Sequence, residues 1–183
     1  MKRVLVPLAD GFEEIEAITI IDLLRRAGIE VVTAGLAGRT VHAAHQVIVQ
    51  ADATLDQAAG KDYDMVVLPG GMPGAEHLNN DPRVHEVLKR TAERGAPIAA
   101  ICAAPIVLGK AGLLKGRKAT SYPGFLDKMD LPDVEYTGAS VESDGPIITS
   151  KGPGTAMDFA LALIERLLGR AERDKVEKGL MRP

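Results

Sequence analysis

The stretch Val4-Leu5-Val6-Pro7-Leu8-Ala9, followed by Glu14 to Ala27, Gly28 and Glu30 to Leu36, decides the fold. The first six residues are a short apolar run of the kind that fills a buried parallel strand. Ala17, Ile20, Ile21 and Leu24 then recur at helical spacing. Gly28 supplies a C-terminal stop, and Arg25 and Arg26 suit the negative end of a helix. Glu30 to Leu36 reads as a second strand. This βαβ unit predicts a parallel sheet covered by helices.

Working outward, the alternation continues. Val41 to Ala51, with Val47-Ile48-Val49, reads as a β excursion or hairpin. Met65 to Leu68 predicts a strand that ends at Pro69-Gly70-Gly71. Asp81-Pro82 offers an N-cap followed by proline at the first helical position, and Val84, Val87, Leu88 and Thr91 carry that helix to Gly95. Pro97 to Ile101 is another strand, and Ala104 to Ala111 a helix stopped by Gly112. Short strands are expected at Lys118 to Ser121, Glu135 to Val141 and Ile147 to Thr149. Thr155 and Asp158 have the spacing of a capping box in front of the apolar helix Ala156 to Leu168. Arg170 to Pro183 is a charged helical terminus. The whole predicts one three-layer α/β domain over residues 1–183.

Composition excludes several classes. Among 183 residues, apolar types make up 46% and charged types 26%, which is globular rather than disordered. Net charge is −3 and aromatics are 3%, so neither a basic footprint nor a stacking platform points to nucleic acid. The run after Met1-Lys2-Arg3 stops at Asp10, too short for a secretory signal, and no apolar stretch reaches the ~20 residues of a membrane span. The expected location is cytoplasmic. Cys102 is the one cysteine, which rules out an internal disulfide and a cysteine-rich zinc site.

In such sheets, sites form where loops leave the carboxyl ends of strands. Cys102 stands at one such place, between a strand and a helix. A lone cysteine is ordinarily a small buried hydrophobe. At a strand-to-helix turn, however, the positive helix end should lower its pKa and favour thiolate. Ala103 and Ala104 leave room for a sharp turn. Asp10, Glu13, Glu14 and Glu16 crowd a helix start, where complementing the macrodipole explains most of them. Glu16 differs, since it lies one turn before Ile20 on the apolar stripe. An inward carboxyl should have a raised pKa and could shuttle protons near neutrality. Gly70 and Gly71 either make a tight loop or present amides as an oxyanion hole. Gly152-Pro153-Gly154-Thr155 reads as a helix cap in preference to an anion site. None of His42, His45, His77 and His85 follows Cys102 or has an obvious orienting acid, and no pair has the spacing of a helical metal site. No metal and no cofactor is expected.

Four segments together resemble a known family. They are Glu13-Glu14-Ile15-Glu16-Ala17, Val67-Leu68-Pro69-Gly70-Gly71, Ala99-Ala100-Ile101-Cys102-Ala103-Ala104-Pro105 and Thr149-Ser150-Lys151-Gly152-Pro153-Gly154-Thr155. In order and spacing they resemble the ThiJ/PfpI superfamily, closest to its DJ-one/YajL branch of Parkinsonism-associated deglycase-like proteins. The resemblance implies a flavodoxin-like sandwich, like that of class I glutamine amidotransferases, with a mostly parallel sheet, and a homodimer. It implies that Cys102 is the nucleophile and Glu16 an adjacent protonated carboxyl. It places the amides of Gly70, Gly71 and Ala103 at the oxyanion site, and Tyr122 in the substrate pocket where relatives carry histidine. Arg26, His45 and Pro153 would lie at the dimer-side rim, His45 standing where some relatives have arginine. Ala103 replaces the histidine that follows the cysteine in the protease branch, which argues against peptidase activity. The implied function is cofactor-independent detoxification of dicarbonyls, converting methylglyoxal or glyoxal to lactate or glycolate, or deglycation of protein or nucleotide amines. The alternative is an oxidative-stress sensor or holdase chaperone that uses oxidation of the same cysteine.

Overall fold

The computed structural model describes residues 1–183. The chain opens with β1 (Arg3–Leu8), α1 (Glu14–Arg26) and β2 (Glu30–Gly35), the expected βαβ unit. A hairpin of β3 (Thr40–His42) and β4 (Ile48–Gln50) follows, then β5 (Ala53–Thr54) and the single turn α2 (Leu55–Ala58). Next come β6 (Met65–Leu68), α3 (Gly74–Asn80), α4 (Pro82–Glu93), β7 (Ile98–Ile101) and α5 (Pro105–Lys110). The last part holds β8 (Lys118–Ala119), β9 (Glu135–Tyr136), β10 (Val141–Asp144), β11 (Ile147–Ser150), α6 (Ala156–Leu168) and α7 (Arg170–Gly179).

Seven strands form the central sheet in the order β10-β11-β7-β6-β1-β2-β5. All neighbours pair parallel except β10 with β11 at the edge. The four residues of β6, of β7 and of β11 are buried throughout, because helices cover both faces. One face packs Val4, Val6 and Leu8 of β1 against Ile20 and Leu24 of α1 and against Phe159 and Leu163 of α6. The other packs Leu5, Val66 and Leu68 against Leu78, Leu88 and Leu108 of α3, α4 and α5. The alternation along β1, with Leu5 on one side and Val4 and Val6 on the other, is the period of two that a doubly covered strand hides in a continuous apolar run.

Local signals hold in most places. Asp81 caps α4 by accepting the Arg83 N–H at 2.9 Å. Gly28 adopts φ 74° after α1, where a side chain would be strained. Val41 to Ala51 folds as the antiparallel pair β3–β4. Two expectations are corrected. Thr155 makes no capping hydrogen bond to α6, because its hydroxyl is taken by Ser150 and Gly152 instead. The strand expected from Glu135 to Val141 is interrupted at Thr137–Ser140, where Gly138 takes φ 67°. No helix is long and apolar enough to cross a membrane.

Candidate active site

The carboxyl ends of β1, β6 and β7 converge on one point. Cys102 follows β7 directly and sits at φ 63°, a left-handed backbone that a non-glycine residue adopts only when its surroundings hold it there. Two backbone hydrogen bonds do so. Its N–H donates to Ser150 O at 3.0 Å, and its carbonyl accepts the Tyr122 N–H at 2.9 Å. The thiol is 9% exposed, buried but within reach of solvent. Helix α5 starts three residues later, with Pro105 in its first turn.

Glu16 is wholly buried on the inner face of α1, one turn before Ile20. Its Oε2 accepts the Gly70 N–H at 2.8 Å. Its Oε1 is buried with no hydrogen-bond partner, and the Cys102 thiol is its neighbour. Burial pushes the Glu16 carboxyl up to about 7, against the pull of Cys102 and Gly70 and with a further rise from the Glu13 charge. The thiol does not have the lowered pKa expected from a helix end. Burial and the Glu16 charge push it up to about 12, and only the N–H groups of Gly71 and Ala103 favour the thiolate. The physical reason is that burial disfavours the charged thiolate and the carboxylate beside the sulfur opposes a second negative charge. Above about pH 7 the carboxyl is therefore charged while the thiol keeps its proton, so the pair then holds one proton.

The glycines divide the work. A Cβ on Gly70 would stand 2.6 Å from Cys102 Cβ and 2.7 Å from Glu16 Oε2, so glycine alone lets the loop enter between them. The Gly70 N–H is committed to Glu16 and is not free for a substrate oxyanion, which corrects the expected role. Gly71, at φ 91°, and Ala103 instead direct their N–H groups at the sulfur.

The remaining carboxyls each have another task. Glu13 caps α1 through the Ile15 N–H at 3.2 Å. Asp10 accepts the His42 N–H at 2.9 Å. Glu14 accepts the His45 N–H and meets His45 Nδ1 at 2.9 Å, while Glu13 lies 3.6 Å from that nitrogen. The hydrogen bond to Glu14 and the charges of both glutamates raise the His45 pKa. His45 thus has the orienting acids that the sequence did not reveal, since Glu14, the nearer, lies 31 residues away. Glu13, Glu14 and His45 place three ligand atoms within 4.8 Å of one another, and the protonated imidazole is itself a cation suited to that position.

Tyr122, 48% exposed, and Pro153 line one surface recess of about 400 Å³ with Lys151, Gly152 and Thr155. Its walls are the segments that hold the Cys102 backbone. Arg26 is not at this rim within the chain. It ends α1, ten residues beyond Glu16 and so about 15 Å along the axis. There it pairs with Asp22 at 2.7 Å. Sequence reasoning missed Ser150 as an anchor of the elbow, although its place opposite Ile101 follows from strand pairing.

Likeness to known proteins covers the whole site region. A family model described as the DJ-1/PfpI family matches residues 2–166. The chain belongs to this family. The glutathione-independent glyoxalase DJR-1.2 of Caenorhabditis elegans is 37% identical over 177 residues, covering 97% of this chain and 94% of that protein. The protein DJ-1 homolog B of Arabidopsis thaliana is 46% identical, and this chain spans 39% of its length. The crystal structure of Drosophila melanogaster DJ-1beta superposes with a TM-score of 0.95 at 42% identity, covering 100% of this chain and 98% of that one. The likeness carries the fold as well as the family, a flavodoxin-like α/β sandwich with a mostly parallel sheet.

Proposed function

We propose that this DJ-1/PfpI protein detoxifies small reactive dicarbonyls without a cofactor, converting methylglyoxal to lactate and glyoxal to glycolate. The observation that carries the reading is the Cys102–Glu16 pair, one thiol at the edge of solvent and one wholly buried carboxyl that titrates near neutrality. As sulfur adds to the aldehyde carbon, the thiol proton passes to the Glu16 carboxylate. The aldehyde oxygen becomes an oxyanion and is met by the N–H groups of Gly71 and Ala103. Glu16 returns that proton to the oxyanion, giving a hemithioacetal, and as a carboxylate again moves a proton from the former aldehyde carbon to the neighbouring carbonyl carbon through an enediol, while the hydroxyl proton passes to the neighbouring oxygen. The first carbon is thereby oxidised to a thioester while the second is reduced to an alcohol. Water cleaves the thioester, giving the hydroxy acid and returning the thiol. No external oxidant or reductant is consumed. The glyoxalase name of the nematode relative supports this reaction type.

Removal of early glyoxal adducts from protein or nucleotide amines would use the same groups, with the recess at Tyr122 and Pro153 holding the amine part. Ala103 in place of a histidine leaves no base for peptide hydrolysis on that side. A homodimer is supported by exposed apolar side chains, Ile15 and Ile18 on α1 and Val47 and Ile48 of the hairpin, which is tied to α1 by the His45 N–H donating to Glu14. A second reading, an oxidative-stress sensor or holdase, rests on the lone thiol, 9% exposed, standing beside a buried carboxyl. Mild peroxide followed by intact mass would then add two oxygens at Cys102 alone.

Turnover of methylglyoxal by the wild type, Cys102→Ala and Glu16→Gln, with the chirality of the lactate determined, tests the reading. The expected result is a single lactate enantiomer from the wild type and no product above background from Cys102→Ala. Wild-type turnover by Cys102→Ala would end it.

A further inference from the structure

The segment Thr149 to Thr155 does more than close the sheet. Ser150 is fully buried and is used from both sides. Its carbonyl accepts the Cys102 N–H at 3.0 Å. Its hydroxyl lies 2.7 Å from Ser140 O and 2.7 Å from Thr155 Oγ1. A carbonyl can only accept, so the Ser150 proton points at Ser140 and its lone pair faces Thr155. Thr155 Oγ1 in turn receives the Gly152 N–H at 3.1 Å. Its own proton has two acceptors, Gly152 O at 3.0 Å and Ser150 Oγ at 2.7 Å, and the shorter contact takes it. The result is a one-way chain from Gly152 N–H through Thr155 and Ser150 to the Ser140 carbonyl, in which each bond polarises the next.

This chain ends on the backbone that shapes the site. Gly152 lies against the Tyr122 ring, where a Cβ would come within 3.2 Å of the ring carbon Cδ2. Tyr122 N–H holds the Cys102 carbonyl at 2.9 Å. Both hydrogen bonds of the Cys102 elbow therefore come from walls that the hydroxyl chain locks together. The next peptide carries the Ala103 N–H that faces the sulfur. If the elbow relaxes from φ 63°, that N–H swings away from Sγ.

We propose that Ser150 and Thr155 are positioning residues, whose hydroxyl chain holds the Cys102 elbow so that the Ala103 amide meets the sulfur. In catalysis this deepens the dicarbonyl reading above and rests on it. Its effect on the thiol is testable without turnover, because Cys102 is the only cysteine. The measurement is the second-order rate of iodoacetamide alkylation from pH 6 to 10, on intact protein with its melting temperature recorded. Thr155→Val removes the chain at a residue outside the core, and is expected to slow alkylation at least fivefold at every pH. Thr155→Ser restores the hydroxyl and returns the rate to within twofold of wild type. Ser150→Ala matches Thr155→Val, and if it does not fold the Thr155 pair decides alone. A wild-type alkylation profile for folded Thr155→Val overturns the proposal, and so does failure of Thr155→Ser to rescue. With methylglyoxal, Thr155→Val lowers kcat and leaves KM within twofold. If the wild type alkylates as described but turns over no dicarbonyl, the positioning role stands and the proposed activity falls.

Discussion

Replacing Glu16 by glutamine should change how stability depends on pH, and the size follows from the site. Glu16 is 0% exposed, and burial, the largest cause, raises its carboxyl from 4.5 to about 7. A pKa raised on folding means that the folded state holds a proton the unfolded chain has already lost. Stability from this group is fully present below pH 4.5 and is lost as the pH climbs to about 7. Each pKa unit is 1.36 kcal/mol, so the loss is about 3 kcal/mol. Glutamine keeps the shape and can still accept the Gly70 N–H, yet it does not titrate. Urea unfolding of wild type and Glu16→Gln at pH 4.5 and pH 8 isolates the effect, since every other group cancels in the difference. The stability of wild type relative to the variant should fall by about 3 kcal/mol over that interval. A difference constant to within about 0.5 kcal/mol would refute a buried Glu16 titrating near neutrality.

Three further outcomes follow from single contacts. Gly70→Ala forces a Cβ to 2.8 Å from Ile101 O and closer still to Cys102 and Glu16. It should abolish turnover and cost about 1–3 kcal/mol in denaturant unfolding. Phe159→Ala empties a fully buried site between α6 and the sheet, and calorimetry should record a loss of about 3–5 kcal/mol. The His45 imidazole, raised in pKa by its hydrogen bond to Glu14, should titrate above 6.5 by proton NMR and return toward that value in Glu14→Gln.

Much of this was legible in the chain. The apolar run at Val4, the helical spacing of Ala17, Ile20, Ile21 and Leu24, and the stop at Gly28 decide the βαβ unit from local pattern alone. Glu16 stood out because a charge on an apolar stripe needs a reason. Three things were not legible because they depend on groups far apart in sequence. The thiol pKa is set by a carboxyl 86 residues away and by burial, which outweigh the helix end that local reasoning favoured. The Gly70 amide is spent on Glu16, 54 residues distant. Thr155 looks like a cap by spacing, but its hydroxyl meets Ser150, a partner that strand pairing brings to the loop. Helix α3 was also missed, since its start at Gly74 follows a proline and glycine cluster that reads as loop.

The central claim is that the Cys102 thiol is activated by giving its proton to Glu16 rather than by resting as a thiolate. The most direct test is kcat/KM for methylglyoxal from pH 5 to 9. The account predicts a tenfold fall per pH unit on the acid side, with its midpoint at about 7, where Glu16 takes up its proton. A profile flat across that range, or an acid limb near the ordinary carboxyl value of 4.5, would contradict it.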